Sequence, residues 1–177
     1  DLANLKAFLA LPGPLAFSVL PNLPLSEEAA RLIEASGKEL LLHMPMEPSN
    51  GADPGPGAIG SSQSDREIEE ALAQSFERFP RAAGMNNHMG SKATADERVM
   101  GAVMRYLSGR GVYFLDSRTT PDTVAVPLAA RYSVPVLSRD VFVDNETEPE
   151  YIRQALESGE RAALREGEAV LIGHVQN

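Results

Sequence analysis

The stretch "RAAGMNNHMGSKATADE", residues 81–97, decides the fold. It opens on a short apolar run, "RAAGM" at 81–85. It then passes through Asn86, Asn87, His88 and Gly90 and reaches Thr94, with Glu97 three residues on. Ser or Thr followed three residues later by Glu matches the capping box, in which each side chain satisfies a free backbone donor at a helix start. A buried strand followed by a polar turn and a capped helix is a β-to-α step, and the rest of the chain repeats it.

Working outward, further strand candidates are "PLAFSVL" at 14–20, "ELLLH" at 39–43, "VYFLD" at 112–116, "VPVLSRD" at 134–140 and "AVLIGH" at 169–174. They are short and apolar, as parallel strands covered on both faces are. Helices are expected between them. Ser26 precedes Glu27 and Glu28 in one that ends near Gly37, and Ser64 with Glu67 and Thr147 with Glu150 repeat the capping box. Ile68, Leu72, Phe76 and Phe79 share a helical face. Pro127 falls in the first turn of a helix ending near Tyr132, where its missing N–H costs little. This rhythm predicts a mostly parallel α/β sheet, either closed as a barrel or open and doubly wound. Residues 44–63 read as one long surface loop. The chain opens on "DLANLKAFLALPG" like the end of a helix and stops at "GHVQN" just after a strand. A preceding strand, and a final helix, are therefore expected to lie outside residues 1–177 of this single domain.

Bulk composition narrows the function. With 177 residues and 43% hydrophobic content, the chain can bury one sizeable core. A formal net charge of −9 gives no general attraction for nucleic acid or anionic lipid. No apolar run approaches the roughly 18–20 residues of a membrane span, and no basic start followed by an apolar core suggests a signal peptide within these residues. Without cysteine, any metal site must use His, Asp, Glu or Asn.

The three histidines all fall at or just past strand ends: His43, His88 and His174; Asp116 and Asp140 close two more strands. Taken singly, each is more often a turn or cap residue than a catalyst. Their coincidence predicts a shared site, because ligands bind where the C-terminal ends of parallel strands converge. Two histidines and a carboxylate suit a catalytic zinc with an open position for water, which makes amide or ester hydrolysis the natural reaction class. A third histidine off the metal could protonate a leaving group. Met44, Met46, Met85 and Met89 read as packing or pocket wall. No nucleophile elbow, phosphate-binding loop or H-x-H pair is present.

"LLLHMPMEP" (40–48), "GMNNHMGSKAT" (84–94), "YFLDSRTT" (113–120), "SRDVFVDN" (138–145) and "IGH" (172–174), in this order, resemble the signatures of the divergent polysaccharide deacetylases. That family is distantly related to metal-dependent carbohydrate esterases. The resemblance implies an irregular (β/α) barrel of about seven strands, a divalent metal, zinc first among them, and removal of acetyl from N-acetylated sugars of a cell-wall or surface polysaccharide. It further implies an extracytoplasmic location and a glycan as partner. Carried over residue by residue, His43 and His88 would be metal ligands. His174 would be the general acid, oriented by Asp140, with Asp116 on the floor between them. Asn86, Asn87, Arg118 and Arg139 would contact substrate. The family's first strand ends in paired aspartates, a metal ligand and a general base, and no Asp-Asp pair occurs in this sequence. A catalytically weak or inactive glycan-binding protein on the same barrel is the alternative this departure implies.

Overall fold

The computed structural model describes residues 2–175. The elements run α1 (Leu2–Leu9), β1 (Ala16–Val19), α2 (Ser26–Ala35), β2 (Glu39–Met46), α3 (Asp65–Arg78), β3 (Gly84–Met89), α4 (Glu97–Arg110), β4 (Tyr113–Asp116), α5 (Ala125–Tyr132), β5 (Val136–Ser138), β6 (Val141–Phe142), α6 (Pro149–Glu166) and β7 (Leu171–Ile172). Strands β1 to β5 form one parallel sheet in chain order, and β6 pairs with β7 in a second, two-stranded parallel sheet. The α/β expectation holds. The order never reverses, which is the winding of a (β/α) barrel; a doubly wound sheet turns back on itself at a switch point. The two sheets share one stretch of chain: the Arg139 N–H donates to the Asp116 carbonyl of β4, and the next N–H, of Asp140, donates to the Val170 carbonyl before β7.

Period-two alternation sorts each strand into two faces. On β2, Leu40, Leu42, Met44 and Met46 enter the same buried cluster as Phe17 of β1, Met85 of β3 and Phe114 of β4. Onto that face pack Ile68, Leu72 and Phe76 of α3, and Val99, Val103 and Leu107 of α4, all fully buried. Fully burying one such side chain contributes about 1.5–3 kcal/mol, so this face supplies the main apolar driving force. Met44, Met46 and Met85 are therefore core residues. The opposite face carries the intervening residues, among them His43 and Asn86. Gly84 lets β3 and β4 close on one another, because a Cβ there would stand 2.9 Å from the Tyr113 ring and from its carbonyl.

Several boundaries differ from the sequence reading. β2 runs three residues past His43, and β3 spans 84–89 in place of 81–85, so His43 and His88 lie inside strands. Pairing extends them: Pro45 is in register with His88 and Met46 with Met89. The segment 134–140 is divided between β5 and the approach to β6 because its backbone changes partner there. The loop expected from 44 begins later and is pinned. Glu47 and Ile59 are bonded through their backbones, and the Glu47 carboxylate accepts from Ser61 and from Lys92. These contacts hold the Glu47 carboxyl down at about 2.

The capping boxes divide on the same ground. Ser64 and Glu67 form one in full. Thr94 instead lies in a 3-10 turn, its hydroxyl donating to the Gly90 carbonyl, and Asp96 caps α4 by accepting from Arg98 and Val99. Thr147 is outside α6, whose first turn opens with Pro149. Ser64→Ala should cost about 1 kcal/mol of stability, and Thr147→Ala less than about 0.5 kcal/mol. Urea denaturation of both variants checks this, and equal losses would contradict the assigned caps.

Candidate functional site

The site begins in the register of β2 and β3, where His43 is paired with Asn86. His43 Nδ1 stands 2.9 Å from Asn86 Oδ1. That oxygen only accepts, so Nδ1 carries the proton and His43 Nε2 is left with its lone pair. Asn86 is held in turn, 2% exposed, with its Nδ2 donating to Ser117 Oγ at 3.4 Å. His88, two residues along the same face, places Nδ1 3.1 Å from His43 Nε2, with the rings edge to face at 4.9 Å.

Burial pushes the His43 imidazole from 6.5 down to about 4; the Asn86 bond raises it, and the charges that His88 and His174 would carry lower it further. Burial, then the charge on His174, also lowers His88. Both rings are thus held neutral, the form that binds metal. Two nitrogens at 2.0–2.1 Å from one tetrahedral zinc stand about 3.3 Å apart, close to the observed 3.1 Å. The Asn86 bond to the far nitrogen of His43 is the kind of support that orients a ligating histidine. Donor chemistry and spacing therefore fit a divalent metal. Among the described residues, no group of three or more His, Cys, Asp or Glu is placed to hold one. The pair would supply two of the three protein ligands that a catalytic zinc takes.

His174 follows β7 with its side chain half-exposed, near enough for its charge to weigh on both other histidines. Its acidic partner is Asp144, where the sequence reading placed Asp140. Asp144 accepts from the His174 backbone N–H at 2.8 Å and lies 3.2 Å from Nδ1. Asp140 instead accepts from the Val170 N–H at 2.7 Å. The reason is register: β6 and β7 pair Phe142 with Ile172, so the residue two beyond Phe142 meets the residue two beyond Ile172.

Asn87 and Asp116 also differ from expectation. Asn87 is fully buried; its Oδ1 accepts from the Ser117 N–H and its Nδ2 donates to the Met89 carbonyl at 2.7 Å. It stitches β3 to the loop after β4 and has no free edge for substrate. Asn86 likewise spends its amide on protein. Asp116, fully buried, accepts from the Arg118 N–H at 2.8 Å and the Thr123 hydroxyl at 2.8 Å. It shares the helix-facing side with Phe114 and shapes the rim loop, away from the histidine pair. Arg118 and Arg139 do stand on the rim, together with Thr120, Pro121 and Asp140. Sequence reasoning missed Asp144 and Phe142, whose ring lies 5.4 Å from that of His174. The signal was present in "VFVDN" (141–145) beside "IGH" (172–174), but reading it required the pairing of two-residue strands.

The depressed His43 value has a direct thermodynamic consequence. Between about 6.5 and about 4 the unfolded chain takes up a proton that folded His43 refuses, so stability is full above that window and falls as pH drops through it. In chelator-treated protein, His43→Gln should flatten the pH dependence of the urea midpoint across this range. An unchanged slope would show that His43 is not the titrating group.

Comparison with known proteins places this geometry. The chain is 35% identical over 171 residues to the uncharacterized protein YibQ of Escherichia coli K12, covering 97% of this chain and 54% of that protein. It is 30% identical over 168 residues to an uncharacterized protein of Haemophilus influenzae, covering 95% of this chain and 60% of the other. The chain therefore spans little more than half the length of these curated relatives. The crystal structure of the uncharacterized protein ATU2773 from Agrobacterium tumefaciens C58 superposes with a TM-score of 0.91 at 23% identity, over 100% of this chain and 73% of that one, a likeness of fold. The family model for divergent polysaccharide deacetylases matches residues 1–177, and the chain belongs to that family.

Proposed function

We propose that this chain carries the metal-binding half of a deacetylase acting on an N-acetylated glycan of the cell wall or surface, outside the cytoplasm. The observation that carries this reading is the pair of neutral imidazoles, His43 Nε2 and His88 Nδ1, 3.1 Å apart and locked by Asn86. Family membership supports the acetamide as the bond attacked. A bound divalent metal, zinc first among the candidates, would polarise the acetamide carbonyl and activate water at neutral pH.

The chain's own residues do the rest. Asn86 fixes the His43 tautomer so that its lone pair points toward His88. Asp144 accepts at His174 Nδ1, which orients that ring. His174 then gives the proton at Nε2 to the departing amine.

A second reading is a glycan-binding protein on the same frame without turnover. It is favoured by one observation: among the described residues no third metal-ligating side chain joins the pair. Metal content and acetate release from tetra-N-acetylchitotetraose and from a peptidoglycan fragment separate the two, since metal bound without acetate favours the second. His43→Ala and His88→Ala should each lower zinc stoichiometry, and an unchanged value for both would refute the ligand assignment. His174→Ala should keep the metal and lose roughly 10²- to 10⁴-fold in rate.

A further inference from the structure

We infer that the rim pocket between the ends of β4 and β5 is a carboxylate subsite. The glycan would then carry an acid group, a lactyl ether or a uronate, on the sugar adjoining the one whose acetamide meets the histidines. The inference rests on the deacetylation reading above and adds the substrate class. The pocket is lined by Arg118, Thr120, Pro121, Arg139 and Asp140.

Its two arginines are presented differently. Arg139 is built in: Nε donates to the Ser117 carbonyl at 2.7 Å, Nη2 to the Arg118 carbonyl at 2.9 Å, and the guanidinium lies over the Phe142 ring, 5.2 Å from its centroid. Guanidinium has five N–H donors, so most of its hydrogen-bonding edge is still available. Arg118 is held only by its backbone. Its φ is +49°, the left-handed region where a non-glycine residue is strained, and its N–H is fixed by Asp116. Among the described residues no acceptor takes a hydrogen bond from its guanidinium. A free fork beside an anchored one, on a strained turn, is an arrangement that recognises a planar anion bidentately.

The charge count selects the anion. Two guanidinium groups and the Asp140 carboxylate leave the wall with one net positive charge, which matches a monoanionic carboxylate and is poor for a dianionic phosphate. The chain as a whole carries −9, so a general positive field does not explain the two arginines.

Position links the pocket to the chemistry. Arg139 is bonded to the carbonyl of Ser117, and the Ser117 hydroxyl accepts from Asn86, the residue that orients His43. On its other side Arg139 stacks on Phe142, whose ring contacts His174. The pocket thus adjoins supports of both the metal pair and the proton donor, where a neighbouring sugar of one glycan chain would lie.

The test is calorimetric binding of three ligands to the zinc-loaded chain: the N-acetylglucosaminyl–N-acetylmuramic acid disaccharide, its carboxyl methyl ester, and a 6-phosphorylated chitobiose. The free acid should bind roughly 10- to 100-fold more tightly than the ester, the range for hydrogen bonds to a charged group. Arg118→Ala should bring the acid down to the affinity of the ester, and Arg118→Lys should recover part of the difference. Equal affinities for acid and ester, an Arg118→Ala variant that weakens both alike, or binding of none of the three would overturn the subsite. Tighter binding of the phosphorylated sugar would overturn the carboxylate assignment. Acetate release measured in parallel keeps the two readings apart. Acid-selective binding with no acetate from any ligand sinks deacetylation and leaves the subsite standing; acetate release with no acid preference does the reverse.

Discussion

The pairing of β2 with β3, His43 opposite Asn86 and Pro45 opposite His88, is the constraint on which the rest of this molecule depends. A shift of one residue would turn Leu42, Met44 and Met46 out of the core and His43 into it. The register is therefore fixed by the apolar face, and the polar face inherits its geometry without needing its own stabilisation. That is how two imidazoles come within 3.1 Å although neither is expensive to place. Their cost appears in the protonation equilibrium, as an unwillingness to become charged.

Around this pair lies a ring of buried polar side chains that serve one another. Asn86, Asn87, Asp116 and Ser117 are each nearly or fully buried, and among the described residues no buried side-chain polar atom lacks a partner. Unpaired, each would cost on the order of 1–3 kcal/mol. Paired, they set the path of the loop after β4 and so aim Arg118 and Arg139. Residue types that look like chemistry in a sequence thus divide into two populations here. Some face the open side of the sheet, and some hold the backbone that presents the first.

Much of this was legible beforehand. The βα rhythm, the parallel sheet, the buried methionines and the gathering of three histidines at one end follow from periodicity and from where apolar runs stop. The roles of Asn87, Asp116 and Asp140 were not legible, because the side of a strand to which a terminal residue points depends on a boundary that shifts by one or two positions. β3 began three residues later than its apolar run suggested. Asp144 was hidden for a related reason. β6 and β7 are two residues each, too short for alternation to register, and their pairing is set by a strand that leaves one sheet for another.

That change of partner divides the site mechanically. His43 and His88 sit on strands backed by the whole apolar cluster, whereas His174 and Asp144 sit just past β6 and β7, whose strand residues are only partly buried and whose helix α6 buries only Gly159 among its described residues. Regions with few buried apolar contacts open at lower free energy than the core. Amide exchange in the second sheet should therefore outpace that in β2 and β3, so His174 can swing away from the imidazole pair while the core stays folded. A ligand too broad to thread between them would gain its entry from that difference in local stability.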